Sequence, residues 1–299
     1  MDEKDWLMLQ ALHKEKSLTR AAERMYMTQP ALTYRLQQLE KRFGVPLIVK
    51  NGKGFRFTPE GEYLITCAYK MLAELREIKD HIVNMQTEVQ GTLRIGASIY
   101  FGQYKLPLLI KNFLKLYPKV QIHVDTGFSS EIFDLLLQDE IQVGIIRGEF
   151  QWLDQKHLIQ EENICLVSSE ELDLEALPYL PRINYRPPKL TLKMGDQMSF
   201  SLSHAIDQWW HERYREPPTI TMQVDSYETC KEMVKYGLGY TIIPSVFVRP
   251  NEGLHTVDLT LKNGQPIKRR TWMLYREATL QFTVVDRFVQ FMKSCDFQI

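Results

Sequence analysis

The chain has 299 residues, no net formal charge, 44% apolar and 25% charged residues. That length and balance suit a soluble protein with two or three cores and exclude fibrous, disordered and membrane-spanning classes. No apolar run reaches the length of a membrane span. The opening MDEKDW lacks the basic and apolar regions of an export signal. Cys67, Cys165, Cys230 and Cys295 have neither C-x-x-C nor zinc spacing, which points to reduced thiols in the cytoplasm.

Charge is unevenly placed. The first sixty residues hold 11 Lys/Arg against 7 Asp/Glu, and the rest is acidic by the same margin. Between Arg35 and Arg56 there are six basic residues and one acid, Glu40. A basic head on an acidic body suits a protein that meets phosphate with one end.

Leu18, Ala21, Ala22 and Met25 have the i, i+3, i+4, i+7 spacing of a helix with one buried face, and Thr19 is a candidate cap. A second stripe, Leu32, Leu36, Leu39 and Phe43, follows a new cap at Thr28, with Pro30 in the first turn and Gly44 at the end. Two short helices across a tight turn predict a helix-turn-helix. Burying the leucines turns Pro30, Tyr34, Gln37, Gln38 and Lys41 outward, with Gln29 and Thr33 beside them. Gln amides pair with adenine edges, and Tyr and Thr meet thymine methyls or phosphates. Arg35 reads as a backbone contact. Leu47–Lys50 and Phe55–Thr58 flank the turn Asn51-Gly52-Lys53-Gly54 and predict a hairpin, which brings Lys53 and Arg56 to a groove or phosphate.

These motifs resemble the LysR-type regulator family. The resemblance is carried by Ser17-Leu-Thr-Arg-Ala-Ala-Glu-Arg24, Thr28-Gln-Pro-Ala-Leu-Thr33, Leu36–Glu40, Gly44-Val-Pro-Leu47 and Thr58-Pro-Glu-Gly61, nearly continuous over about forty-five positions. It implies a winged helix-turn-helix over residues 1–60, with the recognition helix starting at Gln29 and a wing at Asn51–Phe57. Tyr34 departs from the polar or basic residue frequent there, which bears on the operator sequence and not on the fold.

Leu64, Ala68, Met71, Leu75, Ile78, Ile82, Met85 and Val89 form a heptad repeat without Gly or Pro. Such a helix, within residues 61–90, is about 39 Å long. Its period favours a seam between two subunits, and the resemblance implies the same: a linker pairing two heads on an inverted repeat of double-stranded DNA. The resemblance also raises a tetramer, and a contact with RNA polymerase if the regulator activates.

From Gly91 onward, strand and helix patterns alternate and predict parallel sheets covered by helices. Strands are expected at Leu93–Ala97, Val120–Val124, Val143–Ile146, Asn163–Val167, Ile220–Val224, Tyr240–Ile243 and Thr271–Tyr275. Lys105–Leu116, Ile132–Leu137, Ala205–Tyr214 and Tyr227–Tyr236 read as helical, and Tyr179–Met198 as an irregular crossover. Gly91-Thr-Leu-Arg-Ile-Gly96, Tyr117-Pro118 and Val234-Lys-Tyr-Gly-Leu-Gly239 resemble the effector domain of the same family, which is similar to periplasmic solute-binding proteins. The resemblance implies two α/β lobes within residues 91–299, lobe I at about 91–161 and 268–299 and lobe II at about 162–267. Ligands in such folds sit beyond the carboxyl ends of strands. Those ends carry Ser98, Tyr100, Gly127, Ser129, Ser130 and Arg147, then Asn184, Tyr185 and Ser226. Ser98 and Ser129 near helix starts, with Arg147, predict a small anionic effector and no cofactor.

Two other classes fit less well. Gly96-Ala-Ser98-Ile-Tyr100 lacks the second glycine of a nucleophile elbow, and Gly237-Leu-Gly239 has Ile242 where a dinucleotide fingerprint needs its third glycine. The seven histidines form no metal-ligand spacing, and His157 and His204 read as structural. No enzyme chemistry is expected. A solute-binding protein would carry an export signal and no DNA-binding head.

Overall fold

A computed structural model describes residues 1–52, 54–84, 89–186 and 202–297. The chain forms two compact units: Met1–Gly144 with Arg276–Phe291, and Ile145–Tyr275 with the residues from Met292 onward. The head and long helix thus share a unit with the first α/β elements.

The first unit opens with α1 (Glu3–Glu15), which no motif in the sequence marks. Asp2 and Asp5 cap it reciprocally, each carboxylate accepting the other's backbone N–H at 2.9 Å. α2 (Leu18–Arg24) is capped by Ser17 and not Thr19, because residue 19 already lies inside the first turn; Ser17 Oγ accepts from Arg20 N at 3.4 Å. α3 (Gln29–Phe43) begins after Thr28, whose Oγ1 accepts from Ala31 N at 3.4 Å. It stops at Gly44, where φ of 73° is the left-handed turn that glycine adopts without strain.

Leu32, Leu36 and Leu39 are buried against Met8, Leu9 and Leu12 of α1 and Ala21 and Ala22 of α2. Truncating Leu32 to Ala would cost about 2–5 kcal/mol. Phe43 leaves the predicted stripe: it is 44% exposed and lines an open apolar hollow with Val45, Pro59, Tyr63 and Leu64. β1 (Ile48–Asn51) and β2 (Gly54–Phe57) pair antiparallel as the expected hairpin.

α4 (Pro59–Asn84) starts at Thr58, whose Oγ1 accepts from Gly61 N at 3.0 Å. A Cβ on Gly61 would lie 2.2 Å from the Leu47 carbonyl oxygen, so only glycine fits where helix and hairpin meet. The heptad stripe lies on one face, but its burial changes along the helix. Leu64 and Ala68 are buried in the head's own core, while Met71, Ile78 and Ile82 are 38%, 57% and 61% exposed. Met85 lies outside the described residues, and Val89 falls beyond the helix end.

In the same unit β3 (Gly91–Ser98) runs parallel to β4 (Val120–Gly127). Between them lie α5 (Ile99–Tyr104), unanticipated, and α6 (Leu106–Leu116), with Pro107 in its first turn. α7 (Ser129–Leu137) follows, then β5 (Val143–Arg147), along which the chain passes into the second unit. Phe113 of α6 meets Phe288 edge-on at 5.2 Å in the core. Glu140, in the turn after α7, accepts from Lys14 Nζ at 2.5 Å and Gln10 Nε2 at 3.2 Å, which ties α1 to the α/β elements. Arg76 Nη2 of α4 donates to the Asp139 carbonyl at 3.0 Å.

The second unit is built on β6 (Gln155–Ser168), a strand longer than its predicted half. Then come β7 (Arg182–Tyr185), α8 (Leu202–His211), β8 (Ile220–Val224), α9 (Tyr227–Lys235), β9 (Thr241–Pro244), β10 (His255–Asp258) and β11 (Lys268–Tyr275). The terminal α10 (Thr283–Ser294) belongs for most of its length to the first unit. β7 lies inside the stretch expected to be irregular and pairs parallel with β8; the part of that stretch from residue 187 is outside the described residues. β6 is not parallel as predicted, pairing antiparallel with β9, β10 and β11. Its polar first half is held by cross-strand charge: Glu161 accepts from Lys268 at 3.1 Å and Arg270 at 2.5 Å. Ile164, Leu166, Ile206, Trp209, Trp210, Tyr240 and Ile242 form its core.

Candidate functional site

The capped start of α3 and its buried leucines leave one polar face outward. Thr28, Gln29, Pro30, Tyr34 and Gln37 are exposed on it, and Thr33 is half-buried. Gln29 Nε2 donates to Thr33 Oγ1 at 3.2 Å, one turn further along the helix. Arg35 turns the other way. Its Nε donates to Asp5 Oδ1 at 2.7 Å and its Nη2 meets Asp2, which raises its pKa and lowers that of Asp2. The residue read as a phosphate contact therefore clamps α1 to α3. Arg56 is exposed on β2 opposite Val49, and Lys53 lies outside the described residues.

The predicted effector residues fall into two groups. In the first unit Ser98 ends β3 in register with Gly127 at the end of β4. Ser98 is 5% exposed, makes no cap bond to α5, and its Oγ has no hydrogen-bond partner among the described residues. Leaving a buried hydroxyl unpaired costs about 1–3 kcal/mol, so such a group signals a missing partner. Tyr100 packs on Tyr104 at 5.2 Å. Ser129 and Ser130 form the first turn of α7, but Glu131 Oε2 already accepts from Phe128 N at 2.8 Å there.

In the second unit Arg147 is buried and ion-paired with Glu162 of β6. Its guanidinium also lies 5.4 Å from the Phe247 ring centre. Tyr185, next to Asn184, stacks on Tyr227 at 3.9 Å, and Tyr227 meets Phe247 at 5.1 Å. Burial, with Tyr227 alongside, pushes the Tyr185 phenol up to about 12, so it remains a donor. Arg269 Nη1 donates to Tyr227 Oη at 3.4 Å. Ser226 serves as the N-cap of α9, accepting from Thr229 N at 3.4 Å.

Sequence reasoning missed Glu162, Tyr227 and Phe247. Only the pairing of β6 with its neighbours could have placed Glu162 at a buried position. Two of the expected donors already carry a carboxylate: Arg147 holds Glu162 in the second unit, and the backbone at the start of α7 holds Glu131 in the first. Among the described residues no group of His, Cys, Asp and Glu could hold a metal ion, and no helix is long and apolar enough to cross a membrane.

A capped recognition-type helix and a hairpin wing, followed by a long helix and two sets of α/β elements, define a DNA-binding transcription regulator with a ligand domain. Residues 4–62 match the bacterial regulatory helix-turn-helix model of the lysR family, and residues 86–295 match the LysR substrate binding domain. The chain belongs to the LysR family of transcription regulators and is not an enzyme. It is 42% identical over 293 residues to the HTH-type transcriptional regulator YraN of Bacillus subtilis, covering 98% of each chain. The full-length virulence activator AphB of Vibrio cholerae superposes with a TM-score of 0.58 at 19% identity, over 99% of this chain and 100% of that one. Full-length CbnR complexed with target DNA gives 0.61 at 19% identity, over 98% of this chain and 99% of that one. The winged helix-turn-helix, long helix and α/β effector region expected from the sequence are the fold found.

Proposed function

We propose that this regulator works in the cytoplasm as a dimer or a larger assembly, reading an inverted repeat through α3. The observation that carries this is the outward polar face of α3, Thr28, Gln29, Pro30, Tyr34 and Gln37, beside a basic wing. The exposed apolar positions Met71, Ile78 and Ile82 of α4 support pairing, since a solvated helix gains nothing from them. CbnR, solved with its target DNA, lends the precedent of the same fold on a duplex. Footprinting on promoter fragments tests the reading. The full chain protects two related half-sites, and Gln29→Ala loses that protection. Equal protection by both would overturn it.

Control comes from a small polar effector that reaches Ser98. The unpaired hydroxyl of that residue supports the assignment. Arg147 is already paired with Glu162, so this reading rests on Ser98 alone. Regulation requires that the effector prefer one conformation of the chain over another. Ser98→Ala should abolish the effect of a metabolite that alters DNA binding of the wild type; an undiminished response would exclude this site.

A further inference from the structure

The turn between α2 and α3 holds an unexplained residue. Tyr26 is 99% exposed, and its backbone sits at a left-handed φ of 54°. Its neighbours Met25 and Met27 both pack against the head core, which leaves Tyr26 standing out between two anchors. The Tyr26 N–H donates to the Glu23 carbonyl at 3.0 Å, and its phenol has no partner among the described residues. This is the position after a helix end where glycine or asparagine is preferred, since other side chains strain in that conformation. The ring therefore adds strain and exposed apolar area without contributing to the fold. Such a combination at a loop beside a binding element is expected where the side chain serves binding.

Thr28, the cap of α3, is two residues away, a chain span of at most about 7 Å. Helices of this kind enter the major groove by their N-terminal end, which brings the preceding turn to the sugar-phosphate backbone. We propose that Tyr26 is a DNA-backbone contact, its ring lying on a deoxyribose and its hydroxyl donating to a phosphate oxygen, and that this contact sets how α3 seats in the groove. The proposal rests on the reading of α3 as the recognition helix. A neutral donor releases no counterion, so it differs from a lysine or arginine contact in leaving the salt dependence unchanged. A phosphate carries no sequence information, so the contact acts on every duplex alike.

The test measures unfolding temperature and DNA affinity of the full chain for wild type, Tyr26→Asn, Tyr26→Phe and Gln29→Ala. The probes are the footprinted promoter fragment and an unrelated duplex of the same length. Tyr26→Asn should unfold at a higher temperature and bind both duplexes about tenfold more weakly, the size of one lost charge-assisted hydrogen bond, with an unchanged salt slope. Tyr26→Phe should keep the wild-type unfolding temperature and lose most of the same affinity. If Tyr26→Asn binds as tightly as wild type while Gln29→Ala loses the promoter fragment, the Tyr26 contact is wrong and the recognition helix stands. If Gln29→Ala also binds as wild type, the recognition-helix reading itself falls.

Discussion

Arg147 and Glu162 form an ion pair whose side chains are 4% and 2% exposed. Two charges this deep are held by each other, and removing one leaves the other uncompensated. Arg147→Ala should therefore destabilise the protein by about 3–5 kcal/mol. Replacing both with Arg147→Met and Glu162→Leu should restore most of that loss, since a buried pair and an apolar pair of similar volume are close in energy. Denaturant midpoints of the wild type and the two variants decide the point. A single Arg147→Ala as stable as wild type would mean that the pair is not held closed.

Ile78 and Ile82 are mostly solvent-exposed on α4, so glutamate at both positions should leave the single chain folded. In a seam between two copies the same charges would be buried without partners, and the dimer should dissociate. Sedimentation of the double variant should show the smaller species with an unchanged helical signal. A wild-type size distribution would show that this face is not the seam.

Acid sensitivity in the second unit should trace to Glu252. Burial by itself would raise its pKa, but the Arg249 N–H at 2.9 Å and the ammonium groups of Lys235 at 2.8 Å and Lys231 at 3.0 Å outweigh it and hold the carboxyl at about 2, against an ordinary 4.5. The folded chain thus binds this proton more weakly than the unfolded one. The stabilisation is complete above the ordinary value and is lost as pH falls from 4.5 to about 2. Glu252→Gln should lower stability at neutral pH and flatten the decline across that window. An identical acid limb in both proteins would contradict the assignment.

The head was legible in the sequence because its signals are local. Thr28, Pro30 and Gly44 mark the ends of α3 by chemistry acting within one turn, and Leu32, Leu36 and Leu39 mark its buried face. The effector region was less legible where pairing partners are distant in sequence. The expected strand begins only at Asn163, because the partners of the more polar Gln155–Glu162 come from β11, where Arg270 stands opposite Glu161 and Lys268 donates to it. For the same reason Arg147 looked like an open cation, and its partner appears only when β6 is in place. The heptad of α4 was correct in period and incomplete in meaning, because Leu64 and Ala68 serve the head's own core while Ile78 and Ile82 do not.

If α3 reads bases through the amide of Gln29, the specificity ratio of Gln29→Ala must fall. Affinities for the protected promoter fragment and for an unrelated duplex should be compared at one salt concentration, since phosphate contacts dominate both. Gln29→Ala should weaken the promoter complex by about 1–3 kcal/mol and leave the unrelated duplex nearly unchanged. Equal loss on both duplexes, or loss on neither, would mean that Gln29 does not read bases.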